Sequence, residues 1–495
     1  MEILRRDADR KILDPLRTHK WNVTIEREIP DGMIIAAERG GHQHKVALIY
    51  TSATDNAIYK ALATQVEHIF FNGQPYKVEA YTHGVDKPVS SADDFHSVLV
   101  EWNRISVDGK FVPESDETPA IEANALKHRL LLSEEPIEAI WLRIRQLQSV
   151  MLAKKLIERR ALADGVQLDE AVIQSKAEGV AYALRNASDY FQAKEGRNVS
   201  QRILNLYYGS LAFASAEMLA APNGAKTLAE IEDSTKVGHG LYTIDGLGNG
   251  LEQIAVGVFA GFFPAWTASM GSPIGAIPPK KARRFEDLAS YSPASWVSVE
   301  TLFASIPEVA DLFSDIFEAK PSWVRPVYDK AANAGITLFG GRTPATRSYL
   351  QLVDDTGRLT KEDIALFAGP ISEITEVASQ SPGRHFRVAV DHPGKRVHWE
   401  ALRIHQSPFE RQALIRPIFG VIDEYRAISV VLLYAFSIIV RYRPSIWRRV
   451  QEGDLDHMRV LIEAFLAVVE RVLPEQFLEK VTGQRVFAKQ PGSFF

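Results

Sequence analysis

The chain has 495 residues, of which 46% are hydrophobic and 24% are charged, and its formal net charge is −5. This length predicts two or three domains, and the composition is that of an ordinary soluble protein with no overall attraction for nucleic acid or anionic membranes. The sequence contains no cysteine, which excludes disulfides, thiol nucleophiles and cysteine-rich zinc sites and suits a reducing compartment.

The first residues, MEILRRDADRK, are charged and lack an apolar segment. We therefore expect no signal peptide and a cytoplasmic location.

Residues 1–106 predict a small α/β domain. Turn signals at Pro30-Asp31-Gly32 and Gly40-Gly41 separate stretches with strand-like patterns. Asp55 or Asn56 is a suitable N-cap for the helix that follows. In chain order the predicted elements are a helix broken near Pro15, the strands WNVTIEREI, GMIIAAERG and KVALIYTSA, the helix NAIYKALATQVEHIFF and the strand YKVEAYT.

Residues 107–124 contain Gly109, Pro113 and Pro119 among several acids. This composition predicts a linker. The remaining residues, 125–495, predict a mainly helical domain, so the fold class is α+β.

Within the helical domain, apolar spacing predicts one long helix over 137–163, then helices over 168–193 and 199–220. An irregular insertion is expected at 245–280 and a helix pair near 299–318. RHFRVAVD and KRVHWEALRI are interpreted as a β-hairpin, and helices are expected up to about residue 480. The apolar run AISVVLLYAFSIIV is too short to span a bilayer and predicts a buried core helix, with no membrane partner.

Three blocks in this domain resemble the YaaC-like proteins of bacteria. They are NVSQRILNLYYGSLAFASAEMLA followed by Gly238-His239-Gly240-Leu241, the Ile-Pro-Glu segment VETLFASIPEVADLF, and LLYAFSIIVRYRPSIWRRV. In the third block Ile438 and Val440 stand where the family commonly has Met and Ala. The resemblance covers roughly residues 135–485 and implies a shared fold, without an established activity.

The N-terminal element order resembles the core of PD-(D/E)xK restriction endonucleases. The resemblance implies a Mg²⁺ or Mn²⁺ ion bound by Asp31 and Glu38, with Lys45 stabilising charge during phosphodiester cleavage. The third strand departs from the family pattern, because its residues Val46 to Ser52 contain no acid-x-Lys. A degenerate nuclease fold that binds without cutting is therefore the leading interpretation.

Arg441, Tyr442, Arg443 and Trp447 form a basic and aromatic segment around Pro444. Two interpretations stay open for it. Arginines at a helix C-terminus stabilise the last carbonyl groups, and proline then ends the helix. Alternatively, the arginines and the aromatic rings bind a phosphate or a nucleotide, and His239, between two glycines, is a candidate to join them as a ligand-binding residue.

Two further clusters have both a functional and a structural interpretation. His42 and His44 have the His-x-His spacing of some metal sites, but the sequence around them also fits a surface turn. Lys280, Lys281, Arg283 and Arg284 are candidates for nucleic-acid contacts or a solvated loop. The sequence contains no Walker A, dinucleotide-binding, G-x-S-x-G or H-E-x-x-H motif in a suitable context.

Three functions are compatible with these features. The first is a non-catalytic module that binds nucleic acid or a partner protein, by analogy in bacterial antiviral defence. The second is a metal-dependent nuclease with an atypical N-terminal site. The third is a nucleotide or small-ligand sensor in the helical domain.

Overall fold

The structure, a computed structural model, describes residues 2–73, 78–104, 128–193, 198–246, 250–333, 346–395, 397–409 and 412–490. The chain divides into two compact units, Met1–Ala120 and Ile121–Phe495. The predicted linker, residues 107–124, lies outside the described residues. Helices and strands are mixed throughout, as the α+β class predicted.

The N-terminal unit is a five-stranded sheet with helices on both faces. A π-helical turn, Asp9–Leu13, joins its first two helices. The helices are α1 Glu2–Ala8, α2 Asp14–Thr18, α3 Asn56–Ala63 and α4 Phe95–Arg104, and the strands are β1 Asn22–Ile29, β2 Gly32–Arg39, β3 His42–Ile49, β4 His68–Phe71 and β5 Val89–Ser91.

The sheet order is β1-β2-β3-β4-β5, antiparallel through β3 and parallel from β3 to β5. Alternate residues of β2 point to opposite faces. Met33 and Ile35 therefore pack with the core beneath α1, α2 and α4, while Ile34 packs with Tyr59 and Leu62 of α3. Asp55 caps α3 by accepting a hydrogen bond from the Ala57 backbone N–H at 3.0 Å.

The fourth strand and the preceding helix differ from the sequence prediction. Helix α3 ends at Ala63, and the following residues His68–Phe71 form β4 instead of a further helical turn. A short apolar run fits either element, and here the run is buried between two parallel neighbours. In the segment predicted as the fourth strand, Val78–Ala80 form a 3-10 turn and residues 76–77 lie outside the described residues.

The C-terminal unit contains more helix than sheet. Its helices are α5 Pro136–Gln146, α6 Val150–Ala163, α7 Glu170–Gln192, α8 Val199–Ala220, α9 Leu228–Val237, α10 Phe262–Ser269, α11 Val299–Ala304, α12 Ala310–Phe317, α13 Lys361–Ile364, α14 Tyr425–Tyr442, α15 Pro444–Glu452 and α16 Asp456–Thr482. Its strands are β6 His128–Leu132, β7 His239–Ile244, β8 Ala255–Gly261, β9 Trp296–Ser298, β10 Trp323–Tyr328, β11 Arg347–Asp354, β12 Ile371–Val377, β13 Arg384–Asp391, β14 Ile404–Gln406, β15 Gln412–Ile415 and β16 Arg485–Lys489.

One large hydrophobic core joins α5 to α8 with α11, α14 and α16. Three sheets surround it: an antiparallel six-stranded sheet with the order β12-β13-β11-β10-β15-β14, the three-stranded β7-β8-β9, and the parallel pair β6 and β16. Among the described residues, α14 alone is long and apolar enough to span a membrane, and most of it is buried in the fold. This burial agrees with the predicted core helix.

Three predictions for this unit are corrected. The long helix over 137–163 is broken, because Leu147 ends α5 and the Gln148 side chain turns to donate a hydrogen bond to Ser188 Oγ at 2.7 Å. The insertion at 245–280 contains β8 and α10. The expected hairpin is absent from the described residues, since β13 pairs with β11 and β12. The segment predicted as its second strand contains a 3-10 turn that begins at His398, and the consecutive residues Val397 and His398 are both buried, which does not fit strand alternation.

Candidate functional site

The residues proposed for metal-dependent cleavage are far apart in the N-terminal unit. Asp31 precedes the first residue of β2, and Glu38 lies near the last. Seven residues of extended strand separate their Cα atoms by roughly 20 Å. The Lys45 ammonium forms an ion pair with Glu26, with a distance of 2.8 Å from Nζ to Oε2. Asp31 and Glu38 therefore cannot bind one Mg²⁺ or Mn²⁺ ion together, which corrects the arrangement expected from the sequence.

The His-x-His pair belongs to the start of β3. His44 Nδ1 lies 2.8 Å from Glu67 Oε2, and the imidazole stacks on Trp102 with ring centroids 4.4 Å apart. His44 thus packs at the edge of the core, while His42 lies at the tip of the β2–β3 turn. In the part of the chain that the structure describes, no group of three or more His, Cys, Asp or Glu side chains is placed to hold a metal ion.

The basic cluster at 280–284 lies on a loop beside the three-stranded sheet. The Ala282 backbone N–H donates a hydrogen bond to the Tyr242 hydroxyl at 3.3 Å, and this contact fixes the loop. Lys281 Nζ lies 5.1 Å from the centre of the Phe259 ring. Lys280, Lys281, Arg283 and Arg284 are all exposed, so their role as phosphate contacts stays a prediction.

In the C-terminal unit, distant segments of the sequence meet in one place. The signature cluster is defined here as Tyr207 and Tyr208 of α8, His239 at the start of β7, and Arg441 and Tyr442 at the end of α14. Tyr207 Oη lies 3.0 Å from His239 Nδ1, and the Arg441 guanidinium donates to Tyr208 Oη at 3.0 Å. Two of the three blocks that carry the family resemblance therefore form a single group of side chains.

The glycines near His239 allow its backbone to pass very close to the backbone of residues 261–264. Gly240 has φ +79°, and a Cβ atom there would lie 2.5 Å from Pro264 Cδ. Gly261 has φ +140°, and its Cβ would lie 2.3 Å from the Gly238 carbonyl oxygen. Only glycine tolerates such angles and contacts. The Gly-His-Gly sequence thus fixes the position from which the imidazole reaches α8.

His239 forms a hydrogen bond with Tyr207. Burial raises the pKa of Tyr207, so its hydroxyl keeps its proton beside His239 Nδ1. Burial and the nearby Arg441 charge lower the pKa of His239, which favours the neutral imidazole. The described residues supply no hydrogen-bond partner for Nε2. In the tautomer whose Nδ1 accepts a hydrogen bond from Tyr207, the Nε2–H group can donate to a ligand.

Arg441 is a half-buried cation whose described partners are all uncharged. Its Nε donates to the Ser437 carbonyl at 2.9 Å, and its guanidinium lies 5.0 Å from the Tyr442 ring centre and 5.9 Å from that of Tyr208. Among the described residues no carboxylate pairs with it. Tyr442 is 64% exposed. A cation without a counter-ion beside an accessible ring is suited to a planar anionic ligand.

Two residues predicted to bind the same ligand have other contacts. Arg443 forms an ion pair with Asp245, with a guanidinium–carboxylate distance of 2.9 Å. The Trp447 indole is buried and donates a hydrogen bond to Ser200 Oγ at 2.8 Å, joining α15 to α8. Trp447 is therefore unavailable for stacking on a ligand, which corrects its predicted role. The basic segment is indeed a helix end, since α14 stops at Tyr442 and Pro444 begins α15.

Sequence reasoning did not assign a role to Tyr207 or Tyr208. Both residues belong to the Tyr-Tyr-Gly part of the first family block, which was the available signal. Tyr190, 39% exposed, stacks on Tyr208 with ring centroids 5.9 Å apart and extends the aromatic surface.

These features describe an α+β protein whose C-terminal unit assembles aromatic rings, a neutral histidine and an arginine at one surface. A family model described as YaaC-like Protein matches residues 145–481, more than half of the chain. The chain belongs to the YaaC-like family, as its sequence blocks predicted. No curated protein and no solved structure matches the chain.

Proposed function

We propose that this YaaC-like protein binds a nucleotide-class ligand at the signature cluster and acts as a ligand sensor. The observation that supports this most directly is Arg441, a half-buried guanidinium with no carboxylate partner among the described residues. A phosphate would supply the missing counter-charge, and the exposed Tyr442 ring offers a stacking surface for a base. In the tautomer whose Nδ1 accepts a hydrogen bond from Tyr207, His239 Nε2–H is available as a further donor.

The ligand is tested by thermal unfolding with a panel of 5′-mononucleotides. A ligand that binds the native state raises the midpoint according to its concentration and Kd. We expect this rise to be lost in Arg441→Gln and kept in Arg448→Gln, because Arg448 is an exposed arginine on the next helix. Equal shifts in the wild type and in Arg441→Gln would remove the signature cluster as the site.

We infer for the N-terminal unit a restriction-endonuclease-like fold that binds nucleic acid or a partner protein without cleavage. The order of helices and strands through β4, with β3 and β4 parallel and linked by α3, supports this fold. The separation of Asp31 from Glu38 weighs against cleavage. Labelled DNA and RNA should stay intact with or without Mn²⁺, and any nucleic-acid binding should weaken as salt rises. Mn²⁺-dependent cleavage that is lost in Asp31→Ala would overturn this proposal.

A role in bacterial antiviral defence is a further proposal, suggested by the combination of a nuclease-like unit with a helical one. Cells with and without the protein can be compared by phage plaque counts. Equal plaque counts over a broad phage panel would rule out the proposed role in defence.

A further inference from the structure

A cavity of about 670 Å³ lies in the C-terminal unit, away from the residues of the signature cluster. Its walls are the loop after β13, strand β14, the first residues of α14 and the last turns of α16. This volume is within the range of sites that hold small molecules.

The lining of this cavity is strongly charged and carries more cations than anions. Four lining side chains are carboxylates, Glu400, Asp423, Glu424 and Glu479. Six are cations, Arg160, Lys395, Arg403, Arg426, Lys480 and Arg485. The whole chain, by contrast, has a net charge of −5, and one further carboxylate, Glu217, contacts Arg426 from outside the lining.

Four of the cations are matched by carboxylates of the cavity wall. Arg403 pairs with Asp423 at 2.9 Å, and Arg485 lies 3.5 Å from Glu479. Arg426 and Lys480 share Glu424, at 3.2 and 3.3 Å. Burial raises the pKa of both Asp423 and Glu479, whereas at Glu424 burial is outweighed by the charges of Arg426 and Lys480, which lower its pKa to about 2.

The other two cations have only carbonyl partners among the described residues. The Arg160 guanidinium donates to the carbonyls of Lys480 and Val481, each at 2.8 Å, at the C-terminal end of α16. Lys395 Nζ donates to the Glu400 carbonyl at 2.6 Å. These hydrogen bonds hold the two side chains in place, and among the described residues no carboxylate forms an ion pair with either of them. Both cations can therefore contact an anion in the cavity, and two cations suit a dianion.

The histidine of the cavity wall is a structural group. His405 Nε2 lies 2.7 Å from Glu308 Oε1, and the Gln476 side-chain amide lies 3.0 Å from Nδ1. Burial alone would raise the pKa of Glu308, but its hydrogen bond and charge interaction with His405 lower it. Because protein groups occupy both ring nitrogens, His405 has no site left for proton transfer to a bound molecule.

Glu308 belongs to the Ile-Pro-Glu block of the family resemblance. The block thus contributes a buried carboxylate behind this wall, where it holds His405, whose ring stacks on Tyr425 with ring centroids 4.1 Å apart.

An accessible aromatic residue completes the lining. Trp399 is 49% exposed and follows the loop that carries Lys395. An indole at a cavity edge provides a flat apolar surface for the organic part of a ligand.

We propose that this cavity binds a dianionic phosphate monoester with a ring-bearing organic group. Arg160 and Lys395 balance the phosphate charge, and Trp399 contacts the ring. This site is independent of the nucleotide proposed at the signature cluster.

The test is calorimetric titration of the full chain with phenyl phosphate, inorganic phosphate and succinate. Phenyl phosphate should bind more tightly than inorganic phosphate, and both more tightly than succinate, a dianion of different shape. Lys395→Ala and Arg160→Gln should each weaken phenyl phosphate by about tenfold or more, since each removes a charge-assisted hydrogen bond. Trp399→Ala should weaken phenyl phosphate and leave inorganic phosphate unchanged.

Two variants serve as controls. Lys395→Arg should retain binding, which shows that charge is the requirement. Lys236→Ala removes an exposed lysine of α9 outside the cavity and should not change phenyl phosphate affinity. Lys395→Ala is an exposed change and keeps the test valid if Arg160→Gln fails to fold. Absence of phosphate binding at millimolar concentration, tighter succinate binding, or unchanged affinity in Lys395→Ala would each overturn the proposal.

Discussion

Helix α14 carries an arginine near each end, and the two arginines have opposite surroundings. Arg426, near the first turn, is 1% exposed and contacts the carboxylates of Glu217 and Glu424. Its guanidinium also lies 5.2 Å from the Phe477 ring centre. Arg441, in the last turn, is half-buried and has uncharged described partners.

This difference separates a structural cation from a candidate ligand-binding one. A buried arginine with two carboxylates has its charge balanced inside the protein, so it has nothing further to offer to an anion. A half-buried arginine held by a carbonyl and a tyrosine hydroxyl is positioned but keeps its charge available. The same residue type on the same helix thus stabilises the core at one end and, in our proposal, binds a ligand at the other.

The largest effect is expected from breaking the Arg426 end. Arg426→Met leaves Glu217 and Glu424 partly without counter-charge in a buried site, and it should lower the free energy of unfolding by about 3–5 kcal/mol. Arg441→Met leaves no carboxylate without a partner among the described residues and should lower the free energy of unfolding by about 1 kcal/mol. Urea unfolding of both variants measures the contrast. Similar losses in the two variants would mean that Arg441 is also a structural ion-pair residue.

A smaller effect concerns the acids of α16 near the Arg426 end. Burial, with a contribution from the Glu479 charge, raises the pKa of Glu475 from 4.5 to about 7. Between these values the folded protein holds a proton that the unfolded chain releases, so stability falls as pH rises through this window. Glu475→Gln removes this loss and should stabilise the protein at pH 8 by up to about 3 kcal/mol.

At pH 4.5 the same substitution should have little effect, because the carboxyl is then largely protonated in the folded state and about half protonated in the unfolded chain. Denaturant unfolding of the wild type and of Glu475→Gln at both pH values measures how the difference in their stability depends on pH. A stabilisation that does not change with pH would show that Glu475 titrates normally.

The fold could be predicted from the sequence where a local pattern had one interpretation. Strand β1 alternates apolar and polar residues, turn residues separate β1 to β3, and α8 is a long apolar helix with Asn198 as its N-cap. Of the six-stranded sheet, β13 was predicted as one arm of a hairpin, and the sheet as a whole was missed because most of its strands lack such signals. Strand β10 contains Pro326, a residue that usually argues against a strand, and β4 is a short apolar run that fits a helix equally well.

The candidate site could be predicted only in part, for a different reason. His239 and the Arg441 segment were found because each lies in a recognisable block. Their meeting depends on Tyr207 and Tyr208, which come from a third segment of the chain, and no local pattern encodes such a contact. The pairing of Arg443 with Asp245 and the burial of Trp447 likewise depend on tertiary packing.

The smallest effect tests whether the Arg441 charge is uncompensated, as the contrast with Arg426 requires. Arg441 is one of the causes that lower the pKa of His239, so Arg441→Gln should raise this pKa towards the ordinary value of 6.5. Arg443→Gln should leave it unchanged, since Asp245 already balances the Arg443 charge. NMR titration of the His239 ring, assigned by its absence in His239→Gln, measures both variants. An equal change in the His239 pKa in both variants would mean that Arg441 and Arg443 act on His239 alike, and that the Arg441 charge is not distinguished by its lack of a counter-ion.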